Sequence, residues 1–178
     1  MNICAIKEND IANGPGIRLS VFVSGCMNHC PGCFQPDTWD FNAGEPCTDE
    51  TIDYIINELS DKKYAGITFL GGDPMEFVNQ EGITPIIKRI RSELPDKTIW
   101  IYTGYIYDKH LISNDLINGI RHCDSTDYIL NNIDVLVDGP FIQDLYDISL
   151  PFKGSRNQRV IDMIATRDSN SIILSKYN

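Results

Sequence analysis

Ile17-Arg-Leu-Ser-Val-Phe-Val-Ser-Gly-Cys26-Met-Asn-His-Cys30-Pro-Gly-Cys33 joins a strand directly to three cysteines. Residues 17–24 are rich in β-branched and apolar side chains and stop at Gly25, the pattern of a buried strand. The turn-rich segment after it carries the spacing C-x3-C-x2-C. A strand that ends in a loop bearing chemistry is the unit from which α/β folds are built, so more such units are expected along the chain.

Downstream the unit repeats. Thr48 is a good N-cap, Asp49 and Glu50 suit a first turn, and Ile52, Ile55, Ile56 and Leu59 form one apolar stripe of a helix. Gly66-Ile-Thr-Phe-Leu70 reads as a strand broken by Gly71-Gly72. A second helix is expected to start at Thr84 and Pro85, with Ile86, Ile87, Ile90 and Leu94 inward. Strands follow at Thr98-Ile-Trp-Ile-Tyr102 and Ile133-Asp-Val-Leu-Val137, with a helix expected over 114–121 between them. Asp124-Ser-Thr-Asp127 reads as loop, residues 158–162 as one more strand and 171–174 as a short edge piece. Continuous apolar strands alternating with helices imply a parallel sheet covered on both faces. The length, 178 residues, is short for a closed eight-fold barrel of about 250. The expectation is an α/β fold, a partial, open (β/α) barrel of five to six mostly parallel strands, in a single domain over 1–178.

The expected strands end at Gly25, Gly71-Gly72, Gly104 and Gly139. Ligands bind at the carboxyl ends of parallel strands, so the cysteines and Asp73 should meet on one rim. An iron–sulfur cubane held by three thiolates keeps one iron without a protein ligand, and that iron can bind a substrate. Structural zinc, the plainer reading, takes four protein ligands, usually as two separated pairs. His29 offers a fourth ligand inside the triplet, while Cys4, Cys47, Cys123, His110 and His122 have no paired spacing. The outlying cysteines read as small buried residues. Gly71-Gly72-Asp73 suits close approach of a ligand to backbone, with a carboxylate for a cationic amine, although it is also a common turn sequence.

Composition narrows the function. A net charge of −10 argues against a nucleic-acid partner, and 42% apolar with 22% charged residues is ordinary for a globular protein. No apolar run is long enough for a membrane span, and the amino terminus reaches acidic residues too early for a signal peptide. The six cysteines then read as thiols or metal ligands in a reducing, cytoplasmic setting.

The two leading motifs resemble the radical S-adenosylmethionine enzymes. Within them the chain resembles the activating enzymes of anaerobic (class III) ribonucleotide reductase. The matching stretches are Asn13-Gly-Pro-Gly-Ile-Arg18, Phe22-Val-Ser-Gly-Cys26, Cys30-Pro-Gly-Cys33, Gly71-Gly-Asp-Pro74, Trp100-Ile-Tyr-Thr-Gly-Tyr105, Asp134-Val-Leu-Val-Asp-Gly139, Phe141-Ile-Gln-Asp-Leu145 and Gly154-Ser-Arg-Asn-Gln158. They span nearly the whole chain.

The resemblance implies a [4Fe-4S] cluster on Cys26, Cys30 and Cys33, with S-adenosylmethionine on the fourth iron. It implies reductive cleavage to a 5′-deoxyadenosyl radical, which takes a hydrogen from a glycine of the partner reductase. Reduced flavodoxin or a similar donor is the expected reductant. Gly32, Cys33, Phe34, Gly71, Gly72, Asp73, Thr103 and Asp138 are the expected S-adenosylmethionine residues. Arg18, Arg156, Asn157, Gln158 and Arg159 are candidates for a carboxylate or the incoming peptide, against a plain solvated patch. Tyr102 is a rim candidate, and Trp39 and Trp100 read as packing. The stretch 106–132 is long for a reductase activator and reads as a neutral surface insertion rather than a modifier of partner docking. The competing readings are an activator of the pyruvate formate-lyase type, a small-molecule enzyme of the same superfamily, or an iron–sulfur electron carrier.

Overall fold

In the computed structural model, which describes residues 1–112 and 120–178, the strand leading to the cysteines is the second of seven in one sheet. The strands are β1 (Asn2–Asp10), β2 (Ile17–Val23), β3 (Glu45–Pro46), β4 (Tyr64–Gly71), β5 (Thr98–Tyr102), β6 (Val135–Asp138) and β7 (Arg159–Asp162). The helices are α1 (Asp49–Leu59), α2 (Phe77–Glu93), α3 (Asp124–Asn132) and α4 (Met163–Ser169). The sheet order is β3-β1-β2-β4-β5-β6-β7. β2, β4, β5 and β6 run parallel, while β1, β3 and β7 add antiparallel edges. The strand count therefore exceeds the five to six expected. β1 escaped the sequence reading because its middle, around Lys7 and Glu8, is exposed and polar.

α1 forms as its pattern predicts. The Thr48 hydroxyl accepts from the Thr51 amide, and Ile52, Ile55, Ile56 and Leu59 are buried. α2 corrects the expected start at Thr84 and Pro85: it begins at Phe77 and carries Pro85 in its interior. Proline there withholds one N–H from the carbonyl of Glu81, but both residues lie on the exposed face where water can serve that carbonyl. The inward face of α2, with Asn79, Gln80, Ile83, Ile86, Ile87 and Ile90 buried, outweighs the defect.

α3 corrects the loop expected at Asp124-Ser-Thr-Asp127, which is the first turn of this helix. Thr126 Oγ1 accepts from the Cys123 amide at 2.9 Å, and acidic side chains complement the positive end of the helix dipole. Ile129 and Leu130 are buried, so this part of 106–132 belongs to the β5–β6 crossover and is no surface insertion. The helix expected over 114–121 lies mostly outside the described residues. The strand expected at 158–162 is β7, antiparallel to β6, and the edge piece at 171–174 is reduced to one bridge, Ile161 to Leu174.

Burial separates the two faces of the sheet. Leu19, Val21, Val23, Ile67, Phe69, Ile99, Ile101, Leu136 and Ile161 share a single core with the buried apolar residues of all four helices. The alternate residues point the other way. There Trp100, Val137 and Val160 pack with Phe152 and Tyr177, and no described helix contributes to that cluster. The expectation of a sheet sheathed on both faces is thus corrected: helices cover one face, and the other is free to line a cleft. No described helix is long and apolar enough to cross a membrane.

Candidate functional site

The uncovered face opens at the carboxyl ends of the parallel strands into a cleft of about 680 Å³. Its lining includes Cys26, Cys30 and Cys33, then Gly71, Gly72 and Asp73 after β4, then Tyr102, Thr103 and Gly104 after β5. Phe34, Phe141 and Tyr146 close one wall, with ring centroids 5.0 to 6.3 Å apart. Phe34 is 63% exposed, so that wall presents an aromatic edge to solvent.

Backbone hydrogen bonds set the cysteine loop against the sheet. The Gly25 amide donates to Thr38 and the Cys26 amide to Trp39, at 2.8 and 3.2 Å. The Asp73 amide donates back to the Gly25 carbonyl at 2.8 Å. Asn79, fully buried on α2, spans both loops through Nδ2, at 2.9 Å from the Ser24 carbonyl and 2.8 Å from that of Asp73. Glycine is required here by crowding from the chain itself. A Cβ on Gly72 would lie 2.5 Å from the Gly25 carbonyl oxygen, and one on Gly25, at φ +91°, would enter the Phe41 ring.

Asp73 is 2% exposed and receives four donors. Met75 N and Thr103 Oγ1 reach Oδ1 at 2.9 and 2.7 Å, and Gly104 N and Asn28 Nδ2 reach Oδ2 at 2.9 and 2.8 Å. Burial, with Glu76 adding to it, pushes its carboxyl up to about 6 against the pull of those donors. It is ionised at neutral pH. Because the folded value exceeds the unfolded one, the folded protein binds the extra proton, and stability falls as pH rises from about 4 to 6. Urea unfolding of metal-free protein at pH 4 and pH 7 should show this as a contribution on the order of 2–3 kcal/mol. Asp73→Asn should remove it, and an unchanged pH difference in the variant would refute the assignment.

Glu76 is a second buried carboxylate that sequence reasoning passed over. Its Oε1 accepts from the Met27 amide at 2.8 Å and from the Tyr105 hydroxyl at 2.6 Å. Oε2 lies 3.1 Å from Arg121 Nε, whose guanidinium stacks on Tyr105 at 4.7 Å. The N–H direction at Nε misses hydrogen-bond geometry, so this contact is an ion pair without a bond. The signal for Glu76 was an acid at the turn into α2, directly after buried Met75. Asn28 was also passed over, although it lies inside the triplet.

Two of the expected ligand residues lie off the cleft lining. Gly32, at φ +73°, faces the Gln143 side chain. Asp138 is 1% exposed, accepts from Arg159 Nε at 2.8 Å and from the Tyr107 amide at 2.8 Å, and braces β6 against the segment after β5. The cationic candidates are engaged elsewhere: Arg18 is fully buried against Trp100 on the cleft side of the sheet, Arg156 pairs with Asp147 at 2.9 Å, and Arg159 pairs with Asp108 and Asp138. Asn157 donates to the Pro140 carbonyl and lies off the lining, while Gln158, which lines the cleft, accepts from the Gly154 and Ser155 amides. Trp39 stacks on His29, and Trp100 is buried.

The cysteine geometry suits a polynuclear cluster. All three thiols are free and partly exposed, and they line the same cleft. Among the described residues no three His, Cys, Asp or Glu side chains gather closely enough to hold a single ion. A cubane takes one thiolate on each of separate irons, whereas a structural zinc takes four protein ligands on one ion. Burial, then the charge of Asp73, pushes the Cys26 thiol up to about 11, and burial raises Cys30 as well. Metal binding must therefore displace those protons.

The comparisons with known proteins agree with this chemistry. Residues 12–161 match the family described as a 4Fe-4S single cluster domain. An Escherichia coli K12 protein named anaerobic ribonucleoside-triphosphate reductase-activating protein is 44% identical over 162 residues, 90% of this chain and 97% of its own. The Vibrio cholerae protein of that name is 42% identical, covering 89% of this chain and 96% of its own. That of enterobacteria phage T4 is 32% identical, covering 90% and 93%. No solved structure matches significantly.

Proposed function

The chain belongs to the family of anaerobic ribonucleoside-triphosphate reductase-activating proteins, and on that premise we propose how its cleft does the family's work. It activates an anaerobic ribonucleotide reductase by generating that partner's glycyl radical. When bound, a [4Fe-4S] cluster with S-adenosylmethionine supplies a reductive cleavage to a 5′-deoxyadenosyl radical, which removes a hydrogen from a glycine Cα. The observation that carries this reading is the meeting of Cys26, Cys30, Cys33, Gly72 and Asp73 in one open cleft.

The chain's own residues have distinct tasks in this reading. Cys26, Cys30 and Cys33 hold the cluster and leave one position open. Gly71, Gly72, Asp73 and Thr103 form the opposite wall, against which the ligand's polar groups rest. Asp73 acts through its charge and through the loops it fastens, since its oxygens are already met by four protein donors. Phe34 provides an apolar surface at the mouth. Gly32 would act by the turn it permits, and Asp138 by bracing the rim.

Coarser features support the rest. Helices on one face, a cleft on the other and two edges that do not pair suit a partial, open (β/α) barrel working as a single domain over 1–178. An open cleft suits a protein substrate that covers the site itself. Reduced flavodoxin or a similar carrier is the proposed electron donor, and the cytoplasm the proposed location.

Reconstituted protein, reduced and mixed with a class III reductase and S-adenosylmethionine, should yield a glycyl-radical EPR signal and 5′-deoxyadenosine. 5′-Deoxyadenosine without the radical on that partner would point to another glycyl radical enzyme. Absence of both with a competent reductant would sink the enzymatic reading.

A further inference from the structure

Asn28 lies between Cys26 and Cys30, where a polar loop residue would ordinarily face water. Its side chain turns inward instead. Nδ2 donates to Asp73 Oδ2 at 2.8 Å and stands in donor geometry to Cys26 Sγ at 3.7 Å. A carboxamide carries two N–H bonds, one for each of these acceptors. Gly104 makes room for it, because a Cβ there would come within 2.6 Å of Nδ2. Asp73 cannot swing away, being held by Met75, Thr103 and Gly104. The carboxylate thus orients the amide, and the amide points its second hydrogen at the sulfur.

We propose that Asn28 is the hydrogen-bond donor that tunes the Cys26 thiolate of the cluster and raises its reduction potential, with Asp73 as its orienting partner. This rests on the cluster assignment above and adds a residue to it. An N–H···S bond draws electron density from the thiolate. The reduced cluster carries one more negative charge than the oxidised one, so the bond stabilises it more. Asn28 therefore acts as a positioning and tuning residue, and its removal makes the cluster harder to reduce.

The test is a dye-mediated reductive titration of reconstituted wild-type and Asn28→Leu protein, followed by EPR of the reduced cluster. Leucine keeps the shape and loses both donors. At the poise that half-reduces the wild type, the reduced-to-oxidised ratio in the variant should fall about three- to tenfold. Equal potentials at equal iron content would overturn the inference alone. A second measurement needs no variant. Wild-type protein carrying 15N in its asparagine side-chain amides should show a nitrogen coupling to the reduced cluster in pulsed EPR, with an exchangeable proton lost in D2O. Lack of that coupling overturns the inference even if Asn28→Leu fails to assemble a cluster. Wild-type protein that takes up no cluster would overturn the proposed function, and this inference with it.

Discussion

Replacing Cys30 with alanine is expected to abolish iron binding and S-adenosylmethionine cleavage together. Wild-type protein reconstituted without oxygen should carry about four irons, in a cluster with three thiolate ligands. Each ligand holds its own iron, so removing one leaves two thiolates for a cubane that already has an open corner. Neighbours give no substitute. His29 is stacked on Trp39 with centroids 4.7 Å apart, at a backbone φ of 43°. The cysteines outside the triplet are absent from the cleft lining. Iron content and 5′-deoxyadenosine formation should both drop to background in Cys30→Ala and stay near wild type in Cys47→Ala. Iron and cleavage retained in Cys30→Ala would place the cluster elsewhere.

The second large effect concerns stability. Arg18→Met should cost about 3–5 kcal/mol, read as a lower urea midpoint. Arg18 is fully buried, yet among the described residues no carboxylate is bonded to it. Its guanidinium donates to Thr68 Oγ1 at 2.7 Å, Thr98 Oγ1 at 2.9 Å, the Ile67 carbonyl at 2.6 Å and the Thr98 carbonyl at 3.1 Å. Trp100 covers it at 5.4 Å. Burial lowers its pKa to about 10, with Tyr102, Asp134 and Asp10 pulling the other way, so it remains charged at neutral pH. Methionine fills similar space but leaves these oxygens dry and unpaired. Lysine would not rescue, because one ammonium cannot reach oxygens arrayed for a planar fork. A loss below about 1 kcal/mol would mean that the threonines and carbonyls find other partners.

Arg18 also marks where reading the chain in one dimension stops. In sequence it stands in a Gly-Pro-Gly-Ile-Arg run that opens a strand, and a cation there reads naturally as a ligand for carboxylate. Folding places it on the same sheet face as the cleft but beneath a floor of side chains, with partners 50 and 80 residues away. Asp138 behaves alike. It ends a strand on the expected rim, but its position in β6 turns it from the cleft toward Arg159 and Tyr107. Side-chain alternation along a strand decides such cases, and a shift of one residue reverses the answer. The loop expected at Asp124 failed for a different reason. First turns of helices are rich in the same polar residues as loops, and only the burial of Ile129 and Leu130 distinguishes them.

What the sequence determined by itself is the local part of the protein. Strand periodicity laid out the parallel heart of the sheet, the apolar stripe and cap of α1 defined that helix, and the cysteine spacing, with the family resemblance, pointed to an iron–sulfur cluster. Each of these signals lies within about a dozen residues, where backbone geometry converts spacing directly into direction. Tertiary structure alone decided which polar groups meet. Asn28 finds Asp73 from 45 residues away, and Glu76 reaches back 49 residues to the Met27 amide. A buried charge must be matched by whatever donors the folded chain brings to it, and that matching is a property of the packed whole.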